Sequence, residues 1–98
     1  MLLAHAVALA EARSYLAALA DQALTFDASV EYERVLLQLD VLHGDYIPGI
    51  SPVPAYSLDV LFDVAYAAIE ELKEHGVDLL SVELLLDMLE TAWSKDLP

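Results

Sequence analysis

The chain has 98 residues, seventeen acidic against four basic, a formal charge of −13 and no cysteine. That charge disfavours direct binding to a nucleic-acid backbone or an anionic membrane, where affinity comes from Lys and Arg. The missing thiols exclude disulfides, thiolate catalysis and Cys-ligated zinc.

The length predicts one helical domain over residues 1–98. Apolar residues make up 58% of it, more than so small an interior can hold. Some apolar surface should therefore face a partner, most simply a second copy of the chain.

Residues 2–23 predict a first helix, which holds nine of the fifteen alanines. Leu9, Leu16 and Leu19 share one side, and Leu3 and Val7 another, so neighbours are expected on more than one side. No basic segment precedes this apolar start, and Glu11 and Arg13 interrupt it. Neither a signal peptide nor a membrane span is expected.

Leu24 to Asp27 reads as a turn with Asp27 as the N-cap of a second helix over 28–43. Glu31 and Glu33 lie early in it, where the helix dipole favours anions. Val30, Val35 and Val41 share one side, Leu36, Leu39 and Leu42 another, which again predicts two neighbours. Gly44 is the expected left-handed stop.

Residues 44–57 hold three of the four prolines and two of the three glycines. Regular helix is forbidden there. The stretch is long for a helix–helix connection, usually about 2–8 residues, and too apolar for a flexible tether. It predicts an ordered strap that lays Tyr46, Ile47, Ile50 and Tyr56 across the helices. The same four form a candidate apolar contact for a partner.

Ser57 is placed to cap a third helix over 58–75, which Gly76 ends. Leu58, Leu61, Phe62, Ala65, Ile69 and Leu72 follow the i, i+3, i+4 rule on one face. Asp59, Asp63, Glu70 and Glu74 fall opposite, with Tyr66 at the flank. Asp78 caps a fourth helix over 79–95, with Val77 and Val82 as a hydrophobic staple. Glu83, Asp87, Glu90 and Ser94 make one narrow polar stripe on it. Its apolar arc exceeds half the circumference, so this helix is expected either at the centre of the bundle or on an oligomer face. Ser29-Val30-Glu31 recurs as Ser81-Val82-Glu83, a faint sign of a duplicated hairpin. Together these elements predict an all-α fold: a four-helix antiparallel bundle, or two packed helical hairpins, joined by an ordered Pro-rich loop.

The chemistry is sparse. His43 and His75 each close a helix just before a glycine, where an imidazole serves the terminal carbonyls and the dipole; His5 has no such place. No serine sits in a nucleophile elbow, and no phosphate loop or metal-ligand spacing occurs. Asp40-x-x-His43 is a single carboxylate–histidine pair without the second copy that bundle metal sites use. Enzymatic activity, a metal and a cofactor are therefore not expected.

The acidic stripes remain. Residues 58–98 carry −8, residues 1–43 carry −4. Asp59, Asp63, Glu70, Glu74, Glu83, Asp87 and Glu90 form the candidate face for a basic protein partner. The expected function is a small cytoplasmic, non-enzymatic interaction module. It would bind and neutralise that partner, in the manner of antitoxins, immunity proteins or phage-encoded anti-defence (anti-CRISPR) inhibitors, with mimicry of nucleic-acid phosphates as its sharpest form. A homodimer is expected. The alternative is a structural homo-oligomeric subunit or assembly factor whose acidity serves only solubility.

Overall fold

A computed structural model of the protein describes residues 1–44 and 46–97; Asp45, inside the Pro-rich stretch, and Pro98 lie outside them. The fold is all-α. Helices α1 (Leu3–Gln22), α2 (Phe26–His43), α3 (Leu58–Glu71) and α4 (Leu79–Asp96) appear in chain order, and Leu72–His75 continues α3 as one 3-10 turn. Among the described residues no helix is long and apolar enough to cross a membrane.

Each helix has a local cause. Thr25, not Asp27, caps α2: its hydroxyl accepts the Ala28 N–H at 3.1 Å. Asp27 falls instead in the first turn, where its charge still suits the dipole. Asp78 caps α4 as expected, accepting from Ser81 N at 3.1 Å. Ser57 precedes α3 without a side-chain cap. The expected 58–75 helix tightens after Glu71, and Gly76, at φ 88°, ends it in the left-handed conformation that glycine adopts without strain. Gly44 ends α2 at φ 63° with ψ −126°, outside the left-handed helical region.

The four helices form a square in which α1 packs on α2 and α3, and α4 packs on α2 and, more loosely, on α3. Two sets of contacts fix their directions. Asp96 at the end of α4 bonds Leu24 and Thr25 in the α1–α2 turn. His5 near the start of α1 meets His43 at the end of α2 and His75 at the end of the 3-10 turn. Thus α1 and α4 run one way, α2 and α3 the other, and every packed pair is antiparallel. The parallel pairs sit on the diagonals.

This arrangement explains the length of the 44–57 connection. The chain leaves α2 at one end and must re-enter α3 at the other. At about 3.1 Å per residue in extended polyproline-like backbone, fourteen residues reach about 40 Å, enough to traverse a bundle whose longest dimension is 39 Å. Arg13 donates to Pro48 O, and Ser51 N donates to Ser14 Oγ at 3.0 Å, so the route follows α1. The side chains expected on the helices are not the ones that pack. Tyr46, Ile47, Ile50 and Tyr56 are 39–71% exposed, whereas Val53 packs against the core. The attachments are backbone groups held by α1 side chains, which apolar content alone does not reveal.

The core is built from Leu9, Leu16 and Leu19 of α1, Tyr32, Val35 and Leu39 of α2, Leu61, Ile69 and Leu72 after the strap, and Val82, Leu85 and Leu89 of α4. Alanines at 8, 12, 28, 65 and 92 are buried among them and let the helices approach closely. The central helix is α1, covered by two helices and the strap, rather than α4. The first turns of α4 leave Leu79, Leu80 and Leu84 exposed. The Leu-rich arc of α4 is therefore wider than its neighbours cover.

Candidate functional site

The seven carboxylates expected to form an acidic face, Asp59, Asp63, Glu70, Glu74, Glu83, Asp87 and Glu90, are all exposed. None of them makes an ion pair among the described residues. The basic residues are spent elsewhere. Arg13 pairs with Asp40, and Arg34 and Lys95 both pair with Glu31. Only Lys73 stands near these helices without an acidic partner. Most of the unpaired charge thus lies on α3, its 3-10 turn and α4, with Glu11, Asp21, Asp27 and Glu33 also unpaired, among the described residues, on the other two helices.

The structure joins part of the two stripes. Tyr66 of α3 is half-buried at the loosely packed α3–α4 seam. Its phenol is held above the ordinary range, first by burial and then by the charges of Glu90, Glu70 and Asp87. Carboxylates of both helices are thus near enough for their charge to act on this one phenol. Phe62 lies beside it, with ring centroids 5.9 Å apart, and Trp93 of α4 packs on Phe62 at 4.8 Å. Sequence reasoning placed Tyr66 at a flank. It sits three residues after Asp63 and four before Glu70, at the edge of their face of the helix. That spacing was available; the convergence with Asp87, Glu90 and Trp93 is tertiary. No comparable junction ties Asp59, Asp63, Glu74 or Glu83 to the other helix. The four loop residues Tyr46, Ile47, Ile50 and Tyr56 belong to the 44–57 connection, whose backbone is held to α1 at Pro48 and Ser51.

Elsewhere the polar interior is confined to a few places. Asp96 is 4% exposed, and its Oδ1 accepts from Leu24 N at 2.7 Å and Thr25 N at 3.0 Å. Its Oδ2 and the nearby Tyr32 hydroxyl have no partner. Burial, and then the Asp96 charge, push the Tyr32 phenol up to about 12. A raised folded-state value means that this phenol's contribution to stability is complete below pH ~10 and is lost as pH rises from about 10 to 12. Tyr32→Phe should leave stability at pH 7 within about 0.5 kcal/mol of wild type, because no hydrogen bond is lost. It should also reduce the alkaline loss in denaturant melts recorded from pH 9 to 12.

The histidines behave only partly as helix-end residues. His43 Nδ1 lies 2.8 Å from Leu39 O, so its ring serves a terminal carbonyl of α2, and His75 Nε2 stands 3.5 Å from Glu71 Oε2. His5 joins both of them, which the linear spacing did not show. Even so, no group of three His, Asp or Glu side chains among the described residues is arranged to hold a metal ion. Compared with known protein families, with characterised proteins and with solved structures, the chain matches none of them.

Proposed function

We propose that the protein is a non-enzymatic inhibitor that binds a basic protein partner through its α3–α4 face and acts by covering that partner's functional surface. One observation carries the reading: exposed carboxylates of both helices, none in an ion pair among the described residues, lie near enough to act by charge on Tyr66, beside Phe62 and Trp93. Such a surface favours arginine-rich chains twice over, through charge and through cation–aromatic contact. A partner that normally grips nucleic-acid phosphate has the matching chemistry, so mimicry of phosphates remains the sharpest form of the proposal. A cytoplasmic setting, and a role among antitoxins, immunity proteins or anti-defence inhibitors, accord with the small acidic chain.

The test is a pull-down from native lysate at low and high salt, followed by the variant Asp63→Asn, Glu70→Gln, Asp87→Asn, Glu90→Gln. Exposed ion pairs contribute up to about 1 kcal/mol each, so the fourfold change should weaken binding by about 10- to 100-fold. The salt dependence of binding should flatten as well. Unchanged affinity with an unchanged salt slope would rule the charge-based reading out.

A second reading rests on a different observation. Leu2 just before α1, Leu3 at its start, and Leu79, Leu80 and Leu84 of α4 are exposed. In this reading the chain is a structural homo-oligomeric subunit or assembly factor, and the acidic face only keeps it soluble. Light scattering at micromolar concentration separates the two, since a strict monomer removes the second.

A further inference from the structure

Three histidines far apart in the chain come together at one end of the bundle. His5 belongs to α1, His43 closes α2, and His75 closes the 3-10 turn. His5 Nε2 and His43 Nε2 are 3.1 Å apart, and the His5 ring stacks on His75 at 5.4 Å with 9° between planes. They line a cleft of about 410 Å³ together with Met1, Leu42, Val77, Asp78 and others. From this geometry we infer that His5, His43 and His75 form a proton-operated latch: it holds the first turns of α1 to the bundle while the His5–His43 pair carries at most one proton, and a second proton releases them.

The logic lies in the nitrogen roles. The His43 Nδ1–H donates to Leu39 O at 2.8 Å, which leaves Nε2 of the neutral ring as an acceptor. His5 Nε2–H must then be the donor across the 3.1 Å contact. One added proton is tolerated, because an imidazolium N–H facing a neutral imidazole nitrogen is still a hydrogen bond, and a charge-assisted one. Two added protons place N–H against N–H, and the contact becomes repulsive.

The surroundings decide which ring resists charging. Just before α1 stands the amino terminus of Met1, whose charge acts on His5. From α2 comes His43, and from the 3-10 turn His75. From α3 comes Glu71, exposed and 3.5 Å from His75 Nε2, so His75 has a carboxylate to receive its charge. From α4 comes Asp78, whose carboxylate is occupied by Ser81 N and Ser81 Oγ. No described carboxylate bonds the His5–His43 pair. His5 is accordingly held below the ordinary histidine value, first by burial, then by His43, His75 and the amino terminus.

The direction of the pH effect follows. A lowered folded-state value means that the unfolded or released chain binds more protons just below pH ~6.5. The latch is fully closed above that pH and weakens as pH falls through the lower folded value. General charge repulsion works the other way, since acid reduces the net charge of −13. The two effects are therefore separable by sign.

The experiment is amide hydrogen exchange on the whole protein, at pH 7.5 and 5.5, corrected for intrinsic rates, with NMR titration of the three imidazoles. In wild type the amides of Ala6 to Ala10 should lose protection at the lower pH, by about tenfold for each unit of pKa difference, while α2 and α4 core amides hold. His5 should titrate below the ordinary histidine value of about 6.5. His5→Gln, which keeps an N–H for His43 and cannot titrate, should show flat protection. Equal protection of wild type at both pH values would overturn the latch, as would the same loss in His5→Gln or a His5 midpoint at or above the ordinary histidine value of about 6.5. Should His5→Gln fold poorly, His75→Gln serves in its place: removing a neighbouring charge should raise the His5 midpoint, and an unmoved midpoint counts against the cluster.

Discussion

Asp96→Ala is expected to lower the free energy of unfolding by about 3 kcal/mol, a large share of the roughly 5–10 kcal/mol available to a domain of this size. The buried carboxylate accepts both Leu24 N–H and Thr25 N–H, the donors at the α1–α2 turn that no helix satisfies. Alanine would leave both donors without this partner at a part-buried junction. The same turn also depends on Thr25, whose hydroxyl donates to Lys95 O at 3.1 Å while it caps α2. The end of α4, the turn and the start of α2 thus share one junction, and its loss should loosen all three. Asp96→Asn retains a carbonyl acceptor and offers the Tyr32 hydroxyl a donor. It should cost only about 1 kcal/mol, giving the order wild type, Asn, Ala in urea melts. Lys95→Ala, one residue earlier, breaks only an exposed pair with Glu31 and should change stability by less than about 1 kcal/mol. Near-equal effects of the Asp96 and Lys95 substitutions would refute this account of the turn.

The contrast between those neighbours shows what the sequence can and cannot reveal. An acidic residue at a helix C-terminus opposes the dipole, so Asp96 reads locally as a stray surface charge. Its value appears only when α4 is laid against the α1–α2 turn. The cap of α2 shifts for the same reason. Asp27 and Thr25 are both acceptable caps by residue type, but only Thr25 can also donate to Lys95 O. What was legible is what local physics decides. The 3.6-residue spacing of Leu58, Leu61, Ala65, Ile69 and Leu72, the stop at Gly76 and the cap at Asp78 gave the helices nearly their full extents. The acidic rows on α3 and α4 were legible as rows. That both rows act on Tyr66, and that three histidines meet at the end of α3, depends on which way up α3 stands, and a connection as long as 44–57 allows either direction. The repeated Ser-Val-Glu does not mark equivalent positions. Ser29 stands four residues after the cap Thr25, and Ser81 stands three after the cap Asp78.

The strap supplies the second large effect. The Arg13 guanidinium holds Asp40 with two bonds, Nε to Oδ1 at 2.7 Å and Nη2 to Oδ2 at 3.1 Å, and gives Nη1 to Pro48 O. The two side chains are 12% and 21% exposed, so water replaces these bonds poorly when they break, though better than in a sealed core. Arg13→Ala leaves a half-buried carboxylate on α2 and an unsatisfied carbonyl on the strap, and should cost about 2–3 kcal/mol. The other attachment, Ser51 N to Ser14 Oγ, is a single neutral bond, and Ser14→Ala should cost only about 1 kcal/mol. The decisive variant is Arg13→Lys. It keeps the charge but replaces a planar fork with a point donor, which cannot reach both Asp40 oxygens and Pro48 O at fixed angles. If the fork is what holds the strap, Arg13→Lys should behave like Arg13→Ala in limited proteolysis, with cleavage between Tyr46 and Tyr56 becoming faster than in wild type. It should nevertheless retain part of the stability in urea melts, because the charge on α1 still faces Asp40. Wild-type protease resistance in Arg13→Lys would show instead that charge on α1 is sufficient, and that the strap is held by the packing of Val53 and by Ser14.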